Sequence, residues 1–530
     1  MRRLGVFWIL ALVVAFVITG SYATCPAKMR DVLRVAVADD ARMLDPATVT
    51  RDQTGYAVIG AMYDYLVRYP RMPKPDGTFE VDTTRVEPML AERWEHNAAM
   101  SDWTFHLRKD AKFHSGEPVN AHAVKYTFSR ALKMKLATHG VLWLAGVTEE
   151  GMEVIDDYTI RFRLKTPNPL FLDYLQMQNR GIQDPKAIEA HGGVEEKKPN
   201  PWVSRNDTGS GPYRLVRWQP GVEIVIERVE DYWGHKPKSK KIVFKIIAEE
   251  STRQMLLARG EVDLVPYLPA KDYGRMSQNK KLKVIGYPSA RVHYIDMNRN
   301  KPPFNNILVR KALAYSMPYE SIITDVLYGR AVQMTSCLSS AYPSHTNEYF
   351  HYKQDLEKAK ELLKEAGYGD GFSFTFHIGE GQIPSNKAIA ITWQASLKKI
   401  GIKMDIDVLP QAVFLDKLKS QNVPIFMMAW TSYVTDPWYA YGFLLRSKSF
   451  CNYSGIEDKK IDNWYNQAAP MTNKEERYAL SKALQKYVAE NVLWLYLYQS
   501  YIDMAMNLDL QGYQFSPDNQ LHLRTVYVEQ

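Results

Sequence analysis

The chain has 530 residues, 46% of them hydrophobic and 24% charged, with a formal charge of +8 from 67 basic and 59 acidic side chains. That length exceeds one ordinary core and implies two or three domains, and the composition excludes a disordered chain. The densest basic cluster, HKPKSKK at 235–241, is short and broken by proline, which reads as a solvated turn and not as a nucleic-acid surface.

The N-terminus carries the first motif. Arg2 and Arg3 precede an apolar run from Leu4 to Ile18, followed by small residues at Ser21 and Ala23. This is the pattern of a signal peptide over 1–23, cleaved after Ala23, and it sends the mature protein to the periplasm. A membrane anchor would need about 20 apolar residues. Tyr22-Ala23-Thr24 makes a poor lipobox before Cys25. The three cysteines, Cys25, Cys337 and Cys451, form no CxxC and no zinc spacing, so neither metal nor cofactor is expected. In an oxidising compartment a Cys337–Cys451 disulfide is the expected pairing.

Further along, WTFHLR (103–108) and TIRFRLK (159–165) alternate apolar and polar residues as half-buried strands do. Between them Asn120 is placed to cap a helix with Ala121, Val124, Phe128 and Leu132 on one face. This stretch reads as a small α+β unit. KIVFKII (241–247) reads as a strand buried on both faces, with a helix from about Thr252 to Arg259 and a strand in VDLVPY after it. A helix over 356–366 runs from Asp355 to Gly367. It precedes a second alternation: strand 372–378, a helix in NKAIAITWQASLKKIG, strand 402–409, a helix in VFLDKLKSQ and strand 424–430. Such order favours parallel strands joined by crossovers. The glycines of GYGDGF follow a helix and precede a strand, the reverse of a nucleotide loop, and read as a cap and a turn.

Ligands of open parallel sheets bind beyond the carboxyl ends of strands. The stretch AWTSYVTDPWYA (429–440) leaves such an end carrying Trp430, Tyr433, Asp436 and Trp438, and GEGQIPSN (379–386) is expected on the same rim. Together they form a pocket candidate with an apolar body and a few polar groups, with core packing as the competing reading of each aromatic. No nucleophile elbow, Walker sequence, HExxH or spaced Cys/His set occurs. An enzyme is not expected.

Several segments carry a family resemblance: MLDPATV (43–49), the run from Pro88 to Leu132, DTGSGPYRLVRW (207–218), EDYWGHKP (230–237), 301–331 and NYSGIEDKKIDNW (452–464). On these the chain resembles the extracellular solute-binding proteins of peptide- and nickel-type ABC importers, family 5. The resemblance implies a two-lobed α/β clamp of the type II periplasmic-binding-protein class with three domains. Domain I would comprise 32–50, 207–290 and 498–530, domain II 51–206 and domain III 291–497, with hinge crossings near Arg291–Asn298 and Gln499. It also implies a small-molecule or peptide ligand, ABC permease subunits as partners, no nucleic acid and a monomer.

Peptide-binding members carry an aspartate three residues after the loop tryptophan to meet the ligand amine; here that position is Tyr433. Where dipeptide binders bring an arginine to the ligand carboxylate, the nearest residue is Gln382. The expected ligand is therefore an uncharged or weakly charged polar molecule, an oligosaccharide or an amine-blocked peptide. The alternatives are an ordinary free-amine oligopeptide and, remotely, a secreted carbohydrate-active enzyme. Expected contacts are Trp430, Tyr433, Asp436, Trp438 and Gln382, joined from the opposite lobe by Arg51, Gln53 and Tyr56.

Overall fold

The computed structural model describes residues 29–50, 52–380, 385–449 and 451–529. The expected signal peptide (1–23), Cys25, Arg51 and Gln382 lie outside the described residues. In chain order the elements that place the site begin with β1 (Val32–Val37), α1 (Gln53–Met62), β2 (Ala91–His96), β3 (Asp102–Leu107) and α2 (Ala121–Met134). Then come β4 (Met152–Asp156), β5 (Thr159–Arg163), β6 (Tyr213–Gln219), β7 (Glu223–Arg228), β8 (Lys241–Ile246), β9 (Leu264–Val265) and β10 (Leu282–Met297). They continue with α3 (Leu356–Glu365), β11 (Ser373–Gly379), α4 (Asn386–Lys398), β12 (Lys403–Leu409) and α5 (Gln411–Lys419). The last are β13 (Ile425–Thr431), α6 (Pro437–Leu444), α7 (Lys474–Glu490) and β14 (Trp494–Asn507).

Local chemistry sets most of these boundaries. The Asn120 side chain accepts the Ala123 amide at 2.9 Å and starts α2. Asp355 does the same for α3 through the Lys358 amide, and Gly367 just beyond that helix has φ +81°, the left-handed turn that stops a helix. The antiparallel sheet β2-β3-β5-β4 buries Trp103, Phe105 and Phe162 against Phe128 of α2 and Phe171. Each such buried ring contributes about 1.5–3 kcal/mol.

One eleven-stranded sheet then runs through the molecule in the order β6-β7-β8-β1-β9-β14-β10-β13-β11-β12, with Ala331–Gln333 added alongside β14. The two α/β stretches are therefore not separate sheets. The long antiparallel pair β10 and β14 joins them, registered from Leu282 opposite Asn507 to Asp296 opposite Trp494, with a slip between Pro288 and Val292. At about 3.4 Å per residue β10 spans about 50 Å, enough to serve both halves. Arg291–Met297 and Gln499 lie on these two strands. In the C-terminal half β11 pairs in parallel with both β12 and β13, so their carboxyl ends share one rim.

β8 corrects one expectation. It lies between parallel β1 and antiparallel β7, but Lys241 is exposed and Lys245 half-buried while Ile242 and Phe244 are buried. Only one face is fully covered. The strand expected in VDLVPY is just the two residues of β9. The disulfide is corrected too: among the described residues Cys337 and Cys451 are not joined. Cys337 is buried, with burial pushing its thiol up to about 12, and its sulfur shares hydrogen bonds with Tyr441 and Tyr496. Cys451 packs instead beside Phe414, Leu418 and Tyr453.

Two resembling motifs have physical reasons. In MLDP, Asp45 is fully buried and pairs with fully buried Arg130 at 2.7 Å, while also accepting from Gln183 and the Ala47 amide. In TGSGPY, a Cβ on Gly209 would sit 2.1 Å from the Met62 carbonyl oxygen, so only glycine lets that loop close onto the end of α1.

Candidate functional site

The rim at the end of β13 is built around one buried ion pair. Asp436 precedes Pro437, the favoured first residue of a helix, and its Oδ1 accepts the Trp438 amide at 2.9 Å. The same oxygen accepts Arg477 Nη2 at 2.6 Å. The Arg477 side chain is 1% exposed and also donates to the Ala468 carbonyl. Such a partner offsets the cost of burying a guanidinium. Asp436 is therefore committed to holding α6 against α7 and is withdrawn as a ligand contact. Trp438 is withdrawn as well: it is 2% exposed, packs on Tyr441 and donates Nε1 to the Arg477 carbonyl at 3.2 Å.

The rest of the loop crosses to the N-terminal half of the molecule. Thr435 Oγ1 donates to Thr83 Oγ1 at 2.8 Å, and Lys474 Nζ donates to the Thr84 carbonyl at 3.0 Å. Tyr433 packs on Tyr56 of α1 with ring centroids 6.4 Å apart, so two residues expected from opposite lobes meet. Trp430 leans on Tyr439 and Phe443 at 6.4 and 5.3 Å, and its buried Nε1 has no hydrogen-bond partner. Tyr439 meets Tyr174 from the other half at 5.8 Å. Gln53 stands apart: it is exposed and accepts the Tyr267 hydroxyl at 2.8 Å, lining a neighbouring cavity.

The residue that completes this cage is Arg180, on a short 3-10 turn at Gln178–Arg180. It is 2% exposed. Nη1 donates to the Asn179 carbonyl at 2.9 Å, but Nε and Nη2 have no partner. Its electrostatic neighbours are the phenols of Tyr439, Tyr56 and Tyr174, and burial pulls its pKa down to about 10. A buried charge without a counter-ion costs several kcal/mol, and proteins keep such a group where something else meets it. Three buried nitrogens without partners, Nε and Nη2 of Arg180 and Nε1 of Trp430, thus belong to residues that neighbour Tyr439 between the two halves. Arg180, Tyr174 and Tyr439 were not among the expected contacts. The one sequence signal was an arginine inside the acid-free stretch LQMQNRGI.

Asp173, next to Tyr174, accepts the Tyr69 hydroxyl at 2.8 Å. Burial first, and the Asp436 charge further, push its carboxyl up to about 7. Its folded value lies above the ordinary 3.8, so the folded protein holds a proton that the unfolded chain has lost. The stability this contributes is complete below the ordinary carboxylate value and disappears as pH rises through about 7. Asp296, buried on β10, is pushed the same way to about 7. Asp173→Asn cannot ionise and is expected to flatten part of the fall in stability between about pH 4 and 7. Urea titrations at successive pH values check this, and an unchanged slope would refute it.

Among the described residues no helix is long and apolar enough to cross a membrane. The family model for bacterial extracellular solute-binding proteins, family 5, matches residues 85–450. A probable D,D-dipeptide-binding periplasmic protein of Escherichia coli is 30% identical, over 96% of each chain. The heme-binding protein A of Haemophilus influenzae is also 30% identical, over 83% of each. An ABC transporter-associated periplasmic binding protein of Helicobacter pylori, solved with the peptide STSA, superposes with a TM-score of 0.79 at 26% identity, covering 95% of this chain and 99% of that one. These similar chains are binding proteins, and the shared fold is a two-lobed α/β clamp. The chain belongs to the bacterial extracellular solute-binding proteins of family 5.

Proposed function

We propose that the protein is the periplasmic solute-capturing component of an ABC importer for peptide-like solutes, and that Arg180 receives a ligand carboxylate. The carrying observation is the buried guanidinium with two nitrogens, Nε and Nη2, lacking partners. A carboxylate meets such a fork with two parallel charge-assisted hydrogen bonds. The peptide STSA in the Helicobacter pylori relative and the dipeptide named for the Escherichia coli relative support that ligand class. Trp430, Tyr433, Tyr56, Tyr174 and Tyr439 are the proposed aromatic walls, and the proposed lobes are 32–290 with 498–530, and 291–497.

A neutral oligosaccharide is set aside as the ligand, because it would leave the Arg180 charge uncompensated. The amine-blocked reading keeps its place. With Tyr433 at the family's amine-capturing position, we expect the ligand amine to contribute little. Thermal stability against four probes tests this: a tetrapeptide, its N-acetyl form, its C-terminal amide and a neutral oligosaccharide. A ligand at 100 times its dissociation constant adds about 2.7 kcal/mol. The free and acetylated peptides are expected to stabilise, and the amide and the sugar are not. Equal stabilisation by acid and amide would overturn the assignment of Arg180.

A further inference from the structure

A separate cavity of about 320 Å³ is lined only by residues within 60–235 and 514–525. Its walls therefore owe nothing to the half that carries Trp430 and Tyr439. Gln178 lines it, but Arg180, two residues on, does not. Small-molecule sites run from about 300 to 1,000 Å³, so the volume suits a small solute. Four rings, Tyr65, Tyr69, Tyr232 and Trp233, give it an aromatic lining. Arg71 lines it as well, from the hairpin that pairs Arg71–Pro73 with Phe79–Val81.

The charges around this cavity balance except at one residue. Arg68 pairs with Glu87, Arg108 with Asp110 and Arg524 with Asp64, each at 2.7 Å. Arg108 also lies over the Trp233 ring at 3.6 Å. Asp518, the one acid among the lining residues, stands 3.5 Å from His522 Nε2 and accepts the Gln520 amide. The lining His235 is exposed. Acids on the adjoining segments are engaged too: Glu80 by Lys74, Asp82 by Arg85 and Asp173 by the Tyr69 hydroxyl. Asp231 is exposed and does not line the cavity. Arg71 is left over. It is half-buried and has no ion pair or side-chain hydrogen bond among the described residues, only the face of Phe79 at 5.8 Å. Burial pulls its pKa down to about 10, and the charges of Arg68 and Arg524 act the same way.

We infer that this cavity is a second binding site, for a small monocarboxylate with an aromatic body. The carboxylate docks on the Arg71 guanidinium, and the ring lies among Tyr65, Tyr69, Tyr232 and Trp233. A carboxylate meets a guanidinium with two parallel charge-assisted hydrogen bonds, and aromatic walls favour a flat apolar body. One uncompensated cation calls for one negative charge. The site stands independently of the reading that Arg180 takes a ligand carboxylate.

The test is calorimetric titration of phenylacetate, phenylacetamide and acetate into wild type, Arg71→Gln, Arg71→Lys and Arg180→Met. Wild type is expected to bind phenylacetate at least about tenfold more tightly than its uncharged amide or than acetate, which lacks the ring. Arg71→Gln is expected to erase the preference for acid over amide, and Arg71→Lys to keep part of it. Arg71→Gln breaks no ion pair and is expected to match wild type in urea; should it fold poorly, the partial loss in Arg71→Lys carries the test. Arg180→Met is expected to keep phenylacetate binding. The inference is overturned if phenylacetate does not bind wild type, if the amide or acetate binds as well, or if the Arg71 variants leave its affinity unchanged. Loss of phenylacetate in Arg180→Met with retention in Arg71→Gln would place the probe beside Arg180 and overturn it as well. These outcomes do not depend on whether the acetylated tetrapeptide binds, so this site and the Arg180 reading can fail separately.

Discussion

Replacing Arg180 with methionine is expected to make the ligand-free protein more stable while removing its ability to bind. The two effects have opposite signs because they arise from different states. In the free protein the guanidinium is buried among Tyr56, Tyr174 and Tyr439 without a counter-ion. Exchanging buried ionic groups for apolar ones of similar volume stabilises by about 1–4 kcal/mol. In the complex the same change removes one partner of a buried charge pair, which costs about 2–5 kcal/mol, or about 30- to 4,000-fold in affinity. Urea unfolding of the free variant and titration with the acetylated tetrapeptide measure the two separately. A structural arginine would behave in the opposite way, with stability falling and affinity unchanged. That outcome would sink the assignment.

Asp45→Asn is expected to destabilise the fold by about 3–5 kcal/mol, the largest single loss anticipated from a residue outside the cleft. The Asp45 carboxylate takes both terminal nitrogens of Arg130, at 2.8 and 2.7 Å, and both side chains are fully buried. The amide keeps the shape and removes the charge, so Arg130 is left as an uncompensated cation. The double variant Asp45→Asn/Arg130→Met is expected to recover much of the loss, since the two charges then leave together. A loss in the double variant equal to the sum of both singles would show that packing, and not charge, fixes this corner. Ligand affinity per folded molecule is expected to stay within a few-fold of wild type in both.

Several elements of this protein were legible without coordinates, because their determinants are local. Asn120 and Asp355 cap helices through amides three residues away, and the alternation in 103–107 and 159–163 is the pleat of the strands themselves. The ordered motifs also carried the family. Local signals misled where a residue's partner is distant. Asp436 looked like a ligand group because its counter-ion, Arg477, lies 41 positions later. KIVFKII looked doubly buried because composition does not show that one face of that sheet is only partly covered.

The sequence by itself determined which segments become helices and strands, and the family to which they belong. Backbone hydrogen bonds, side-chain period and cap chemistry act within a few residues, so a short window contains all their terms. Only the tertiary structure decided that β10 and β14 weld both halves into one sheet, and which charges find partners. The energy of a buried charge depends on what the folded chain brings beside it: Asp45 for Arg130, Asp436 for Arg477, and for Arg180 three phenols and no acid.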